Sequence, residues 1–266
     1  MDRKREKALE SPDYLSWQYS NEDGQKTEGF PWGPHKVPVY LDFEGVSISL
    51  EKCGEGLSYR REDSSGKMEK TIIAERGKLM LSPVEPFHTP VALSNHLLIE
   101  LENPVMLKPR SNHNLLVTFP LELAVAFSSR KPEGNDVFDI FTLSRSKFTL
   151  YGSIRTGLVC KYWKSPVYED IPAVNPLRQG VMKIEFNNQL AKWAEVRKVI
   201  FSAQGMKIYY SPHLVSLKST VKIYSEVTAE TAFIDQSLQG GMSKGLEMFS
   251  ARFLKLPGRT IMEEGY

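Results

Sequence analysis

Cysteine is scarce in this 266-residue sequence, with Cys53 and Cys160 the whole complement. Two thiols so far apart form no zinc-ribbon or redox motif, and a disulfide framework is excluded. A reduced cytoplasm is the simplest compartment for them, with one long-range disulfide as the other reading. Long apolar runs are missing too. The longest uncharged stretch, 86–99, holds 14 residues with two Pro and two His, too short and too polar to cross a bilayer. Met1-Asp2-Arg3-Lys4-Arg5 is basic, but no apolar segment follows it, so a secretory signal is not expected. No Asn-x-Ser/Thr acceptor occurs. An excess of one charge is absent as well. Thirty-four Lys+Arg against 32 Asp+Glu leave +2, which excludes a chain-wide basic nucleic-acid binder and an acidic tail. There is no phosphate loop, dinucleotide fingerprint or tandem repeat.

What the sequence has is a period of two. At 41% hydrophobic and 25% charged it can build an ordinary core. Val39, Leu41 and Phe43 alternate with Tyr40, Asp42 and Glu44, and the apolar parity then switches to Val46, Ile48 and Leu50. A parity switch turns every side chain to the other face, so Gly45 is expected at a bulge or turn. Over 113–128, Leu115, Val117, Phe119, Leu121, Leu123, Val125 and Phe127 share one parity, and Asn114, Thr118, Glu122 and Ser128 share the other. That is the pattern of a half-buried antiparallel sheet. Pro120 cannot donate to a ladder, so the run is an edge strand or two strands broken there. Similar alternations recur around 97–101, 148–150, 182–186 and 215–227.

The expected fold class is therefore all-β, as two antiparallel β-sandwich-like halves with one helix near the C-terminus. The expected organisation is a polar N-terminal arm over 1–36, a β-rich half over 37–130, and a β-rich half over 136–266. The arm ends in Phe30-Pro31-Trp32-Gly33-Pro34-His35, and Trp17 and Trp32 either dock on the body or anchor a partner. The helix is placed at 242–253, where Met242, Leu246, Phe249 and Phe253 recur at spacings of three and four. Gly240-Gly241 weakens its start.

Three constellations carry candidate chemistry. Between Asp139 and Glu169 there is no acidic residue, while Arg145, Lys147, Arg155, Lys161 and Lys164 are interleaved with Phe148, Tyr151, Tyr162 and Trp163. Arg145, Lys147, Tyr151, Lys161, Trp163 and Lys164 are the candidate binding residues, since cations beside aromatic rings hold anions and stack flat groups. Parity pairs Lys161 with Trp163 and turns Tyr162 the other way. The plainer reading is a strand whose outward residues happen to be basic. Secondly, His88, His96 and His113 lie close in sequence, beside Glu85, Glu100 and Glu102. Imidazoles suit a divalent zinc or iron ion, with ligands about 2 Å from one centre. His96 and Glu100 on one strand would stand about 13 Å apart, so ligands would have to come from different strands. Ser94-Asn95-His96 and Ser111-Asn112-His113 also read simply as turns opening strands. Thirdly, Gly241-Met242-Ser243-Lys244-Gly245 matches the hydrolase nucleophile elbow, but no strand precedes it and no His follows it. Glu100 and Glu102 read as the solvated side of a strand rather than a glycosidase pair.

Leu150-Tyr151-Gly152, Lys161-Tyr162-Trp163-Lys164-Ser165-Pro166-Val167-Tyr168, Pro83-Val84-Glu85-Pro86, Met206-Lys207-Ile208-Tyr209-Tyr210 and Met262-Glu263-Glu264-Gly265-Tyr266 together resemble a mainly archaeal family classed only as a domain of unknown function. The resemblance covers roughly 37–266 and implies a cytoplasmic archaeal protein; it transfers no activity, cofactor or catalytic residue. The residues themselves favour a non-catalytic binding or protein-interaction module. A metal-dependent enzyme or small-molecule binder on the three histidines is the alternative. A protein partner or an anionic ligand fits the basic–aromatic stretch, whereas nucleic acid is disfavoured. Open edge strands would allow a homodimer by sheet extension.

Overall fold

The computed structural model describes residues 18–20, 26–28, 30–74, 77–90, 93–128, 136–248 and 259–266. Among these the chain is all-β without a helix, in four sheets. The first is a meander of β1 (Gln18–Ser20), β2 (Lys26–Glu28), β4 (Val39–Phe43), β5 (Val46–Cys53), β6 (Gly56–Asp63) and β7 (Gly66–Ile72), in the order β2-β1-β4-β5-β6-β7. The second places β3 (Gly33–Lys36), β8 (Lys78–Val84), β11 (Glu122–Ser128) and β12 (Asp136–Phe141) in the order β12-β11-β8-β3. A third runs β13-β14-β9-β16, from β13 (Lys147–Tyr151), β14 (Leu158–Ser165), β9 (His96–Leu107) and β16 (Ala194–Ser202). The fourth joins β10 (Ser111–Pro120), β15 (Gln179–Asn188), β18 (Val215–Ile223), β17 (Tyr209–Tyr210) and β20 (Ser243–Lys244); β19 (Ala229–Ile234) pairs β18 and β21 (Arg259–Met262).

The local reading of the sequence holds in detail. Val39, Leu41 and Phe43 are buried, as are Val46, Ile48 and Leu50 after the parity switch. The hairpin between them turns on Glu44 and Gly45, both at positive φ (52° and 75°), as a two-residue hairpin with the right twist demands. The break at Pro120 separates β10 from β11.

Three expectations change. The sheets are not purely antiparallel: β14 lies parallel to β9, and β15 to β18. Parallel neighbours need a long crossover, and here β16, a strand of another sheet, lies in the chain between β15 and β18. The expected helix over 242–253 is not formed in its described part. Ser243 and Lys244 extend a sheet edge by pairing with Tyr210 and Tyr209, and residues 249–253 lie outside the described residues. Gly245 closes that strand with its N–H on the Ile208 carbonyl, where an added Cβ would meet Pro83 O at 2.8 Å. Finally, 113–128 is not half-buried throughout. β11, a central strand paired to β8 and β12, is buried on both faces, and Glu122 is 0% exposed.

Hydrogen bonding does not divide at 130–135. β9 pairs with β14 and β16, and β10 with β15. One apolar cluster runs from Phe30 and Leu41 through Phe119 and Ile184 to Met262 and Tyr266. Cys53 is exposed, Cys160 is buried, and both are free thiols. No helix among the described residues is long and apolar enough to cross a membrane.

Candidate functional site

The basic–aromatic stretch is split by the pleat of β14. Lys161, Trp163 and Ser165 point to its covered side. Trp163 donates its Nε1–H to Thr118 Oγ1 at 2.9 Å, and Ser165 Oγ accepts the Thr118 N–H at 2.8 Å. Lys161 is only 4% exposed and its Nζ lies 3.0 Å from Glu122 Oε1. It is thus a buried structural cation, not part of an exposed anion face. The parity expected for Lys161 and Trp163 is right, but their side is covered, as is the side of Cys160 and Tyr162. Lys147 and Lys164 face outward, and Arg145 is exposed in the loop before β13. Their surroundings are mixed in sign, because Lys164 is in register with Glu100, and Glu100 with Lys198. Tyr151 is buried, donating its hydroxyl to Gly265 O and accepting the Glu264 N–H, so it docks the C-terminal residues.

Glu122 organises the turn over 85–90. It accepts the backbone N–H of His88 (2.8 Å) and of Thr89 (3.1 Å), the Thr89 hydroxyl (2.7 Å) and the Lys161 ammonium. Glu85, also buried, accepts the Met248 N–H through both oxygens at 3.3 Å. Asp139 accepts from Tyr59 Oη and Arg61 Nε, each at 2.7 Å, and ties the first sheet to the second. Burial, then the Asp139 charge, pushes the Tyr59 phenol far above its ordinary range. Each of these carboxylates is closed by donors from its own fold.

The three histidines are not gathered. His88 sits in the 85–90 turn with Nε2 3.8 Å from Glu85 Oε2. His96 opens β9, where burial lowers its pKa, and His113 lies in β10 with Nε2 2.8 Å from Ser111 Oγ. Among the described residues no group of three His, Cys, Asp or Glu side chains is placed to hold a metal ion.

A different constellation has the features of a binding site. Phe30 and Trp32 lie on a strap whose Phe30 N–H donates to Pro212 O at 3.1 Å. His35 Nε2–H, 2.8 Å from Pro31 O, holds the strap from behind, and burial lowers the His35 pKa. Facing the strap is Tyr210 of β17, its ring tilted 54° to Trp32 with centroids 6.2 Å apart. Gly33 must stay small here. Its φ is +98°, a conformation that side chains with a Cβ rarely adopt. Between strap and β17–β20 edge opens a cleft of about 230 Å³, bounded also by Pro34, Ser211, Pro212, Gly241 and Ser243. Trp32 Nε1 is buried and has no hydrogen-bond partner among the described residues.

Sequence reading reached half of this site. The tryptophan flanked by prolines was visible as a docking or anchoring residue, but nothing local connects Trp32 to Tyr210, which lies far along the chain. Residues 31–263 match the family described as "Protein of unknown function (DUF432)", and the chain belongs to that family. No curated protein and no solved structure matches it.

Proposed function

We propose that this chain, whose family carries no assigned activity, is a non-catalytic binding module with the Trp32–Tyr210 cleft as its recognition surface. The observation that carries the reading is the opening between the strap and the β17–β20 edge, lined by the rings of Phe30, Trp32 and Tyr210. Splayed rings and glycines around it give a surface that an apolar group can approach closely. The ionisable clusters around Glu122, Asp139 and Glu85 support the same reading, since they are consumed in holding turns and sheets together.

The test follows the indole resonances of the four tryptophans in ¹⁵N-labelled protein, with Trp32 assigned through Trp32→Phe. A panel of uncharged oligopeptides, oligosaccharides and heteroaromatic fragments is titrated in. A saturable shift confined to Trp32 is expected with at least one class. A Trp32 signal indifferent to the whole panel at millimolar concentration removes the cleft as a recognition surface.

A second reading, for an acidic partner, rests on Arg145, Lys147 and Lys164, which stay exposed with no salt bridge among the described residues. Lys147→Glu with Lys164→Glu should abolish retention on a heparin column at low salt; unchanged retention ends that reading.

A further inference from the structure

Independently of the Trp32 cleft, we infer that the open edge of β13 pairs with the same edge of a second copy of this chain, antiparallel and centred on Thr149. Among the described residues β13 is paired on one side only, to β14. The other side of an edge strand presents unpaired N–H and C=O groups, a template for a further strand. Other edges of the fold are blunted. Pro34 removes a donor from β3, Lys67, Glu69 and Lys70 load β7 with charge, and β16 carries a bulge between Val196 and Lys198. Such devices keep sheet edges apart. From Phe148 to Tyr151, β13 has no proline, no charge and no bulge.

Both faces of this edge fit the same occupant. Phe148 and Leu150 share a face with Val159 of β14, which stands opposite Leu150, and the three are 37%, 41% and 50% exposed. A two-fold axis through Thr149, perpendicular to the sheet, sets Phe148 against Leu150 of the second copy and Leu150 against its Phe148. The apolar strip of one copy then continues into that of the other. The opposite face carries charge. There the same register sets Lys147 against Tyr151 of the second copy. At that end of β13 the Tyr151 hydroxyl accepts the Glu264 N–H, and the Glu264 side chain lies along Gly152, where a Cβ would stand 3.2 Å from its Cγ. Lys147 and Glu264 are both exposed. Within one chain they sit at opposite ends of β13, about 13 Å apart along the strand. Across the axis each Lys147 arrives beside Glu264 of the second copy, so two ion pairs flank the axis. A second copy thus matches the open backbone edge, the apolar strip and the charges at both ends.

Sedimentation equilibrium of the full chain up to about 0.2 mM, above the micromolar end of interface affinities, should show reversible association to twice the 30.2 kDa chain mass. Backbone hydrogen exchange at 147–151 should slow as the dimer forms. Leu150→Lys, at an exposed position, puts a charge into the apolar strip and should leave a monomer. Lys147→Glu and Glu264→Lys, each alone, should weaken the dimer about tenfold, as like charges replace two symmetric ion pairs. Combined, they exchange the two charges and should restore it. A chain monomeric throughout, a dimer that Leu150→Lys leaves intact, or charge variants whose effects add instead of compensating would each overturn the inference. Exchange at 147–151 is read on the unaltered chain and decides the matter if a variant fails to fold: rates that do not change as the dimer forms overturn the inference.

Discussion

Replacing Lys161 by Met and Glu122 by Leu, singly and together, tests whether the 85–90 turn is built on a buried ion pair. The two side chains are 6% and 0% exposed, with Nζ 3.0 Å from Oε1 and 3.3 Å from Thr89 O. Removing one partner of a buried pair costs about 3–5 kcal/mol, because the other charge stays behind. The two halves are not equivalent. After Lys161→Met, Glu122 keeps three donors, His88 N, Thr89 N and Thr89 Oγ1, so the loss falls at the lower end, about 3 kcal/mol. Glu122→Leu instead strands a buried ammonium and two backbone N–H groups, and about 5 kcal/mol or more is expected. In the double variant no charge is left, and the same orphaned N–H groups remain, at about 1–3 kcal/mol each, without the stranded ammonium. Glu122→Leu alone should thus be worse than the double variant. Urea denaturation read by tryptophan fluorescence gives all three values, against a total stability of about 5–15 kcal/mol for a domain. Losses of the single variants that add in the double, or a Lys161→Met loss under about 1 kcal/mol, would refute the coupled pair.

Gly180→Ala would place a Cβ 2.5 Å from the Phe119 ring and 2.9 Å from Val215 O. With Phe119 fully buried and unable to yield, a loss of about 1–3 kcal/mol is expected, visible as a lower Tm; an unchanged Tm would contradict the packing of β10 on β15. Burial depresses the His35 pKa below 6.5, with the bond to Pro31 O opposing it, and burial depresses that of His96. As pH falls the unfolded chain takes up these protons first, so stability is full above about pH 6.5 and declines as acid passes through the folded values. Thermal melts between pH 7.5 and pH 5, on the order of that window, should show the decline, and His35→Asn should lessen it; a wild-type Tm that rises on acidification would show the sign to be wrong. Burial pushes the Cys160 thiol up to about 11, while Cys53 is exposed. Iodoacetamide near pH 8 should therefore modify one thiol per native chain and both in urea, and rapid double modification of native protein would contradict the buried Cys160.

Local signals carried much of the architecture. Strand alternation at 39–50, the parity switch at Gly45 and the break at Pro120 are backbone properties, set by the two-residue pleat, by positive φ and by a missing N–H. They were legible without any partner strand. The helix expected at 242–253 misread the sequence, because apolar spacing of three and four also occurs where Ser243-Lys244 is recruited to the edge offered by Tyr209-Tyr210. Residues distant in the chain supplied that edge.

The same division explains the sites. Alternation in β14 assigned Lys161 and Trp163 to one side correctly, since that follows from the pleat. It could not say which side another layer covers. Glu122 brought the donors of the 85–90 turn against Lys161, and Thr118 of β10 came to meet Trp163 and Ser165. Likewise Trp32 stood out as a tryptophan among prolines, but its tilted neighbour Tyr210 and its unmet N–H exist only once the strap lies over β17. Sequence fixes what each side chain can donate, accept or bury, and the two-residue period fixes which of them share a face. Which faces are dry, and which remote groups meet across them, depends on how separate segments stack, and that was decided by the tertiary structure.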